Sequence, residues 1–414
     1  MDSGSDGSGA ASVAALRAGV PADRSRSGLG AGLLLILSVA CGVSVATIYF
    51  PQAITLLIAS DLHVSAETAA LVVTTAQLGY AMGLLLLVPL GDRLSHRLLV
   101  TALLALTAVA LLIASQAPTL PVLAVASMVT GFTTVVPQIL LPMAAGLEPP
   151  ERRGAVTGTL LSGLLGGILL ARTFGGFLGE HLGWRGPYVV AALMLLALAG
   201  LLGLALPKTA PTSSQRYPSL VAAAFILFRQ EPELRRSCLY QALMFGGFTA
   251  AWTSLALLLG GPLYGLGGQA VGLIALVGAA SVLCTPAAGR LIDRKGSDFV
   301  SPLAFVTAIL AAVVLLGGRL GGAAGLVALT AGMLLLDIGV QCGQTANQAR
   351  VFAVRPDARS RLNTAYMTCV FLGGSAGSWI GVKIYGLWGW PGVCGLIGCG
   401  AALALARHAL KGPR

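Results

Sequence analysis

Charged side chains are scarce in this chain, at 10% of its 414 residues. Soluble domains carry about a quarter charged residues, so this composition excludes an ordinary soluble fold. Histidine is also scarce, and none of His63, His96, His181 and His408 lies centrally in a long apolar run. The H-E-x-x-H and P-loop patterns are missing, which excludes the metal and ATP chemistry that those motifs support. We therefore expect no enzyme active site, no metal and no cofactor.

Long apolar runs take up the rest of the sequence. Hydrophobic residues make up 56% of it, and about a dozen runs approach the roughly 20 residues that cross a bilayer as a helix. Backbone polar groups must pair internally in lipid, so these runs predict an all-α integral membrane fold. We place the spans at 30–50, 66–90, 97–115, 119–146, 155–180, 187–206, 237–260, 270–290, 301–318, 323–346, 361–386 and 390–408. All seven cysteines fall inside these spans without disulfide or zinc spacing, as small apolar side chains would.

The basic residues fall almost entirely on one side of this topology. The net charge of +11 could suggest a nucleic-acid partner. With the N-terminus inside, however, the cytoplasmic segments hold every Lys and Arg except Arg172, Arg185, Arg319 and Lys383. An excess of Lys and Arg in cytoplasmic loops sets the orientation of membrane proteins. We therefore predict a multi-pass membrane protein with both termini in the cytoplasm, and no nucleic-acid partner.

The two halves of the chain repeat each other at a shift of about 206 residues. Gln138 then meets Gln344, and Gly183-Trp184 meets Gly389-Trp390. Parallel six-helix repeats with a binding site between them are typical of one large class of secondary transporters. The predicted units are a disordered cytoplasmic tail at 1–29, an N-terminal bundle at 30–207, a cytoplasmic linker at 208–236 and a C-terminal bundle at 237–410.

Two loops at matching positions carry Asp-Arg pairs. Leu90-Gly91-Asp92-Arg93 corresponds to Leu291-Ile292-Asp293-Arg294. Both loops resemble the G-x-L-x-D-R-x-G-R-R loop of the major facilitator superfamily, although Val88 and Ser95 replace the glycines in the first copy. In that family the loop is structural and gating, which is the role expected here for Asp92, Arg93, Asp293 and Arg294.

The fifth span resembles the antiporter motif of the same family, G-x8-G-x3-G-P-x2-G-G. Gly158, Gly167, Gly175 and Gly176 occupy its positions, whereas Ala171-Arg172 replaces the Gly-Pro pair. Small residues let membrane helices approach closely. The spacing of these glycines favours export.

Asp337 is the acidic residue that lies well within a predicted span. It shares one helical face with Gln341 and Gln344, and Asn347 follows. Ionisable residues within a bilayer are costly and concentrate at functional sites. A carboxylate away from water favours its protonated form, so Asp337 could exchange protons as access alternates. The alternative is a structural acid tied to a neighbouring helix.

Arg172 lies toward the outer half of the fifth span. It could hold an anionic or polar substrate, pair with a carboxylate, or snorkel outward from the helix end. Amide and aromatic side chains of the first, fourth, seventh and tenth spans, which line the central cavity in this superfamily, add groups that suit polar solutes. The expected cavity lining is Tyr49, Gln52, Gln138, Arg172, Tyr240, Gln241, Trp252, Gln341, Gln344 and Asn347.

A second, closer family resemblance covers nearly all of the chain after residue 30. Tyr49-Phe50-Pro51-Gln52, Val136-Pro137-Gln138 and the segment 361–367 resemble bacterial exporters related to arabinose-efflux, purine-nucleoside-efflux and chloramphenicol-resistance proteins, a drug:proton antiporter branch. The resemblance implies proton-driven export of a small molecule from the cytoplasm across the bacterial plasma (inner) membrane. We expect a monomer that works by alternating access. Ser127, four residues before Gly131, stands where many such antiporters carry Arg. Proton-coupled uptake is the main alternative, and an intramembrane enzyme or a non-transporting receptor is a remote one.

Overall fold

The computed structural model describes residues 29–207, 215–355 and 358–410, and shows an all-helical membrane protein. Eleven helices in this part of the chain are long and apolar enough to cross a membrane. The last of them is broken at Gly389, where φ is 63°, and so supplies two crossings. The predicted fold of twelve spans in two six-helix bundles is confirmed. Apart from Leu29, the predicted tail at 1–29 lies outside the described residues.

The first bundle contains spans 1 to 6. Span 1 comprises α1 and α2, span 2 comprises α3 and α4, span 3 is α5, span 4 comprises α6 and α7, span 5 is α8 and span 6 is α9. Their bounds are α1 Ala31–Tyr49, α2 Pro51–Asp61, α3 Ala66–Ala69, α4 Leu71–Leu86, α5 His96–Ser115, α6 Leu120–Thr133, α7 Val136–Leu147, α8 Pro150–Leu182 and α9 Arg185–Ala205.

The second bundle contains spans 7 to 12 and follows a short helix, α10. Span 7 is α11, span 8 comprises α12 and α13, span 9 is α14, span 10 is α15, and α16 supplies spans 11 and 12. Their bounds are α10 Tyr217–Gln230, α11 Pro232–Gly260, α12 Gly268–Gly278, α13 Cys284–Lys295, α14 Ser297–Leu315, α15 Gly322–Val354 and α16 Arg359–Ala409.

Span 1 continues beyond residue 50, where we predicted its end. Pro51 begins α2 instead of ending the span, because the first turn of a helix tolerates a residue without an N–H. Pro232 begins α11 in the same way. The helix therefore starts inside the predicted linker at 208–236, which also contains α10. Residues 208–214 of that linker lie outside the described part of the chain.

The repeat found in the sequence recurs in the backbone. Gly183 and Gly389 both take left-handed φ angles, of 71° and 63°, which glycine adopts at low cost. Each is followed by a buried tryptophan. The indole N–H of Trp184 donates to Asp61 Oδ2 at 2.9 Å, and that of Trp390 donates to the carbonyl oxygen of Leu315 at 2.6 Å.

Glycines bring spans 1 and 5 into backbone contact. A Cβ on Gly167 would collide with the backbone of Gly42, whereas a Cβ on the adjacent Gly166 would meet nothing within 4 Å. In the second bundle, Gly377 packs on Gly246 between spans 11 and 7. Close approach of small residues supplies the packing energy that membrane helices cannot obtain from the hydrophobic effect.

Replacing Gly167 by valine should therefore destabilise the first bundle. We expect Gly167→Val to cost about 1–3 kcal/mol, as overpacking typically does, and to lower the apparent unfolding temperature of the detergent-solubilised protein. Gly166→Val introduces the same side chain one residue away and serves as the control. Equal unfolding temperatures for the two variants would contradict this packing.

Candidate functional site

A cavity of about 80 Å³ lies between the two bundles. Four of the predicted lining residues face it: Tyr49, Gln138, Gln341 and Gln344. The lining also includes aromatic residues that the sequence did not single out, because a phenylalanine or tyrosine within an apolar span looks like core packing. These are Tyr80, Phe245, Phe248 and Phe371.

The cavity leads toward the end of the bundle that carries Arg93 and Arg294, here called the arginine-rich end. Gln138 lines both the central cavity and a pocket of about 320 Å³ at that end. Its amide makes one long hydrogen bond within the first bundle and one that comes from the second bundle. Gln138 Nε2 donates to the Tyr80 hydroxyl at 3.5 Å, and Asn363 Nδ2 donates to Gln138 Oε1 at 3.4 Å.

The opposite end, here called the far end, is closed where span 5 meets span 8. The Thr173 hydroxyl donates to the carbonyl oxygen of Gly272 at 2.9 Å. The backbone N–H of Gln269 donates to Glu180 Oε1 at 2.9 Å. The backbones of Gly176 and Gly268 pack so closely that a Cβ on Gly176 would collide with the Gly268 carbonyl group.

Arg172 is buried in the interface between the bundles, with 1% of its surface exposed. Its Nε donates to Gln52 Oε1 at 2.7 Å. Its guanidinium carbon lies 4.1 Å from the centroid of the Trp252 ring and 5.1 Å from that of Tyr49, within range of cation–π attraction. A snorkelling arginine would reach toward water, so this alternative is wrong.

Asp337 contacts the same Trp252 side chain at its indole nitrogen and is 5% exposed. The indole N–H of Trp252 donates to Asp337 Oδ1 at 3.4 Å, and Asp337 Oδ2 lies against Gly278. The charges of Arg172 and Asp337 attract each other. Because Arg172 belongs to the first bundle and Trp252 and Asp337 to the second, this attraction acts across the interface.

Three of the predicted lining residues lie elsewhere, in a network toward the arginine-rich end of the second bundle. Asn347 Nδ2 donates to Gln241 Oε1 at 3.1 Å, and Arg350 Nη1 donates to Asn347 Oδ1 at 2.7 Å. The Tyr240 hydroxyl accepts from Arg236 Nε at 3.0 Å. Asp298 accepts from both arginines, at 2.8 Å from Arg236 and 2.9 Å from Arg350. These groups satisfy one another inside one bundle.

The predicted motif residues occupy different surroundings. Gly175 packs on Phe50 of span 1, while a Cβ on Gly158 would meet nothing within 4 Å. Asp92 lines the pocket at the arginine-rich end. Asp293 and Arg294 lie in the last turn of α13 at that same end.

Two similar six-helix bundles around a central cavity with amide groups are the architecture of a secondary transporter. The Major Facilitator Superfamily profile matches residues 32–377. The chain is 38% identical to the transporter YgaY of Escherichia coli (strain K12) over 88% of its own length and 92% of that protein. It is 36% identical to the transporter SCO4007 of Streptomyces coelicolor over 95% and 91% of the two chains. The chain belongs to the Major Facilitator Superfamily and is a multi-pass membrane transporter, not an enzyme.

Solved structures agree with this fold. A crystal structure of the nucleoside transporter NupG superimposes with a TM-score of 0.74, covering 92% of this chain and 100% of that one. The two sequences are 15% identical, so the likeness extends to the fold alone.

Closure of the far end depends on glycine at position 176. We expect Gly176→Val to separate spans 5 and 8 and to speed hydrogen exchange in the segment 261–267 by about tenfold, which corresponds to about 1.4 kcal/mol. Gly158→Val, on the open face of the same helix, should leave exchange unchanged. Unaltered exchange in Gly176→Val would mean that this contact does not hold the far end closed.

Proposed function

We propose that this protein exports a small molecule from the cytoplasm in exchange for protons, by alternating access, as a monomer in the bacterial plasma membrane. The observation that carries the proposal is the unit formed by Arg172, Trp252 and Asp337 across the interface between the bundles. The remaining support comes from topology, from the glycines of span 5 and from the resemblance to drug:proton antiporters.

The arginine-rich end faces the cytoplasm on this proposal, because Lys and Arg accumulate in cytoplasmic loops. The far end then faces outward, and the conformation described above is closed to the outside. Its cavity, which leads toward the arginine-rich end through Gln138, is the one that a cytoplasmic substrate would enter.

Asp337 is the proposed proton carrier. When it is ionised, its attraction to Arg172 favours the conformation in which the two bundles meet at this point, and that attraction is strong where water is excluded. Protonation removes the attraction. On this proposal the attraction exceeds the cost of taking the carboxylate out of water, so by linkage Asp337 binds a proton more tightly when the far end is open and releases it when the far end is closed, which carries protons inward.

The same attraction distinguishes exchange from uptake. It restrains the empty, deprotonated protein from reopening to the outside, so the substrate must help to drive that step. An exchanger needs this restraint, because an empty carrier that returned freely would leak protons. A proton-coupled uptake protein needs the opposite, since its cycle depends on the empty carrier returning outward.

The glycines of span 5 support export by their position. Gly176 lies where span 5 meets span 8 of the other bundle, so the motif that the sequence shares with antiporters includes the contact that closes the far end. Asp92, Arg93, Asp293 and Arg294 at the arginine-rich end are the proposed gating groups on the other side.

Transport in inverted vesicles tests the proposal. With an acidic interior and candidate solutes added outside, we expect solute uptake coupled to proton release in the wild type. Asp337→Asn should reduce solute uptake and proton release by at least about tenfold each. Losing one partner of a buried pair of charges typically has an effect of this size.

Glu151→Gln, which removes an exposed carboxylate at the start of α8, is the control and should transport normally. Proton-coupled transport at the wild-type rate in Asp337→Asn would show that the proton is carried elsewhere. Coupled uptake in right-side-out vesicles, driven by an inward proton gradient, would establish the opposite direction.

A further inference from the structure

Two buried hydrogen-bond donors beside the interdomain charge pair have no acceptor. Arg172 Nη2 and Gln52 Nε2 are both buried without a partner among the described residues. Gln52 is fully buried and Arg172 is 1% exposed. Arg172 Nε donates to Gln52 Oε1 at 2.7 Å. The two unpaired nitrogen atoms therefore belong to two side chains that are hydrogen-bonded to each other. Buried polar groups almost always have partners, so a pair of orphaned donors points to an acceptor that is missing.

The surroundings of this pair are aromatic. The guanidinium carbon of Arg172 lies 4.1, 5.1 and 5.7 Å from the ring centroids of Trp252, Tyr49 and Phe248. Tyr49 and Phe248 also line the central cavity. The rings of Tyr49 and Phe248 therefore contact both the guanidinium of Arg172 and the central cavity.

We propose that Arg172 and Gln52 bind the carboxylate of the transported substrate, which is an organic acid with an aromatic or apolar body. This inference rests on the proposed function and names the substrate class. A guanidinium forms short, charge-assisted hydrogen bonds to a carboxylate and matches its planar geometry. The rings of Tyr49 and Phe248, together with the aromatic lining of the cavity, then contact the apolar body.

The acidic side of the unit offers less to a ligand. Asp337 Oδ1 already accepts from Trp252 at 3.4 Å, and Oδ2 is packed against Gly278. The positive charge of Arg172 would also repel a cationic substrate. The unpaired nitrogen atoms of Arg172 and Gln52 are hydrogen-bond donors, so they favour a ligand that carries a hydrogen-bond acceptor.

Binding of an acid at Arg172 also accounts for coupling. A carboxylate on the guanidinium neutralises the charge that attracts Asp337, and a proton on Asp337 neutralises the other partner. Either ligand therefore releases the same restraint between the bundles, whereas the empty, deprotonated protein stays restrained. An exchanger requires this combination.

Matched ligands that differ only in headgroup test the substrate class. The probes are benzoate, benzamide and benzylamine, and indole-3-acetate, indole-3-acetamide and tryptamine, titrated calorimetrically into purified protein at neutral pH without any proton gradient. We expect each acid to bind at least about tenfold more tightly than the amide with the same ring, since hydrogen bonds to a charged group are the stronger ones. The amines should bind most weakly.

Variants assign the preference to the proposed residues. Arg172→Met should abolish the preference for acids, and Arg172→Lys should retain part of it. Gln52→Leu should weaken the binding of the acids and leave the binding of the amides unchanged. This variant keeps the buried charge of Arg172, so it tests the proposal even if Arg172→Met fails to fold. Arg319→Met, at an exposed position of the far end, is the matched control.

The proposal is overturned if amides or amines bind as tightly as acids, or if the acid preference survives in a folded Arg172→Met or Gln52→Leu variant. It is also overturned if no probe binds, in which case the donors hold water only. Asp337→Asn separates this result from the proposed function, because it should keep acid binding while losing proton coupling. Acid binding with coupled transport intact in Asp337→Asn would refute the proton role alone.

Discussion

The attraction between the buried charges of Arg172 and Asp337, which both contact Trp252, is the interaction on which the proposed function of the interface depends. Taking two charges out of water often costs more free energy than their mutual attraction returns, and ionisable residues are rare within a bilayer. On the proposed function, the attraction between these two charges exceeds that cost. Here one charge belongs to each bundle, so the attraction is gained when the bundles meet and lost when they part. That property makes the pair useful to a carrier that alternates between two conformations.

Glycine contacts give the rest of the structure two mechanical roles. Within the bundles, Gly42 with Gly167 and Gly246 with Gly377 lock neighbouring spans at the backbone, and each bundle can then move as one body. Between the bundles, Gly176 meets Gly268 at the far end. That contact joins two separate bodies, so it can form and break without unpacking either of them.

Much of this architecture could be predicted from the sequence because bilayers impose strong constraints. Long apolar runs had to be helices, the shift that aligns Gly183-Trp184 with Gly389-Trp390 had to be a repeat, and Asp337 stood out because acids are rare in spans. Helical spacing in a sequence, however, predicts which face of a helix a residue lies on. It does not predict which side chain of another helix that residue contacts. Tyr240 shares span 7 with Trp252, yet it bonds to Arg236 and not to the cavity. The orphaned donors of Arg172 and Gln52 depend on atomic packing, which no pattern encodes.

The response of the far end to pH tests the role of the charge pair most directly. Hydrogen exchange in the segment 261–267, corrected for intrinsic rates, would be compared at acidic and mildly alkaline pH without substrate. We expect acid to speed exchange in the wild type, because protonation of Asp337 releases the restraint, and Asp337→Asn to exchange rapidly at both. A wild-type-like acid response in Asp337→Asn, or slow exchange in that variant at alkaline pH, would contradict the central claim that this carboxylate holds the bundles together.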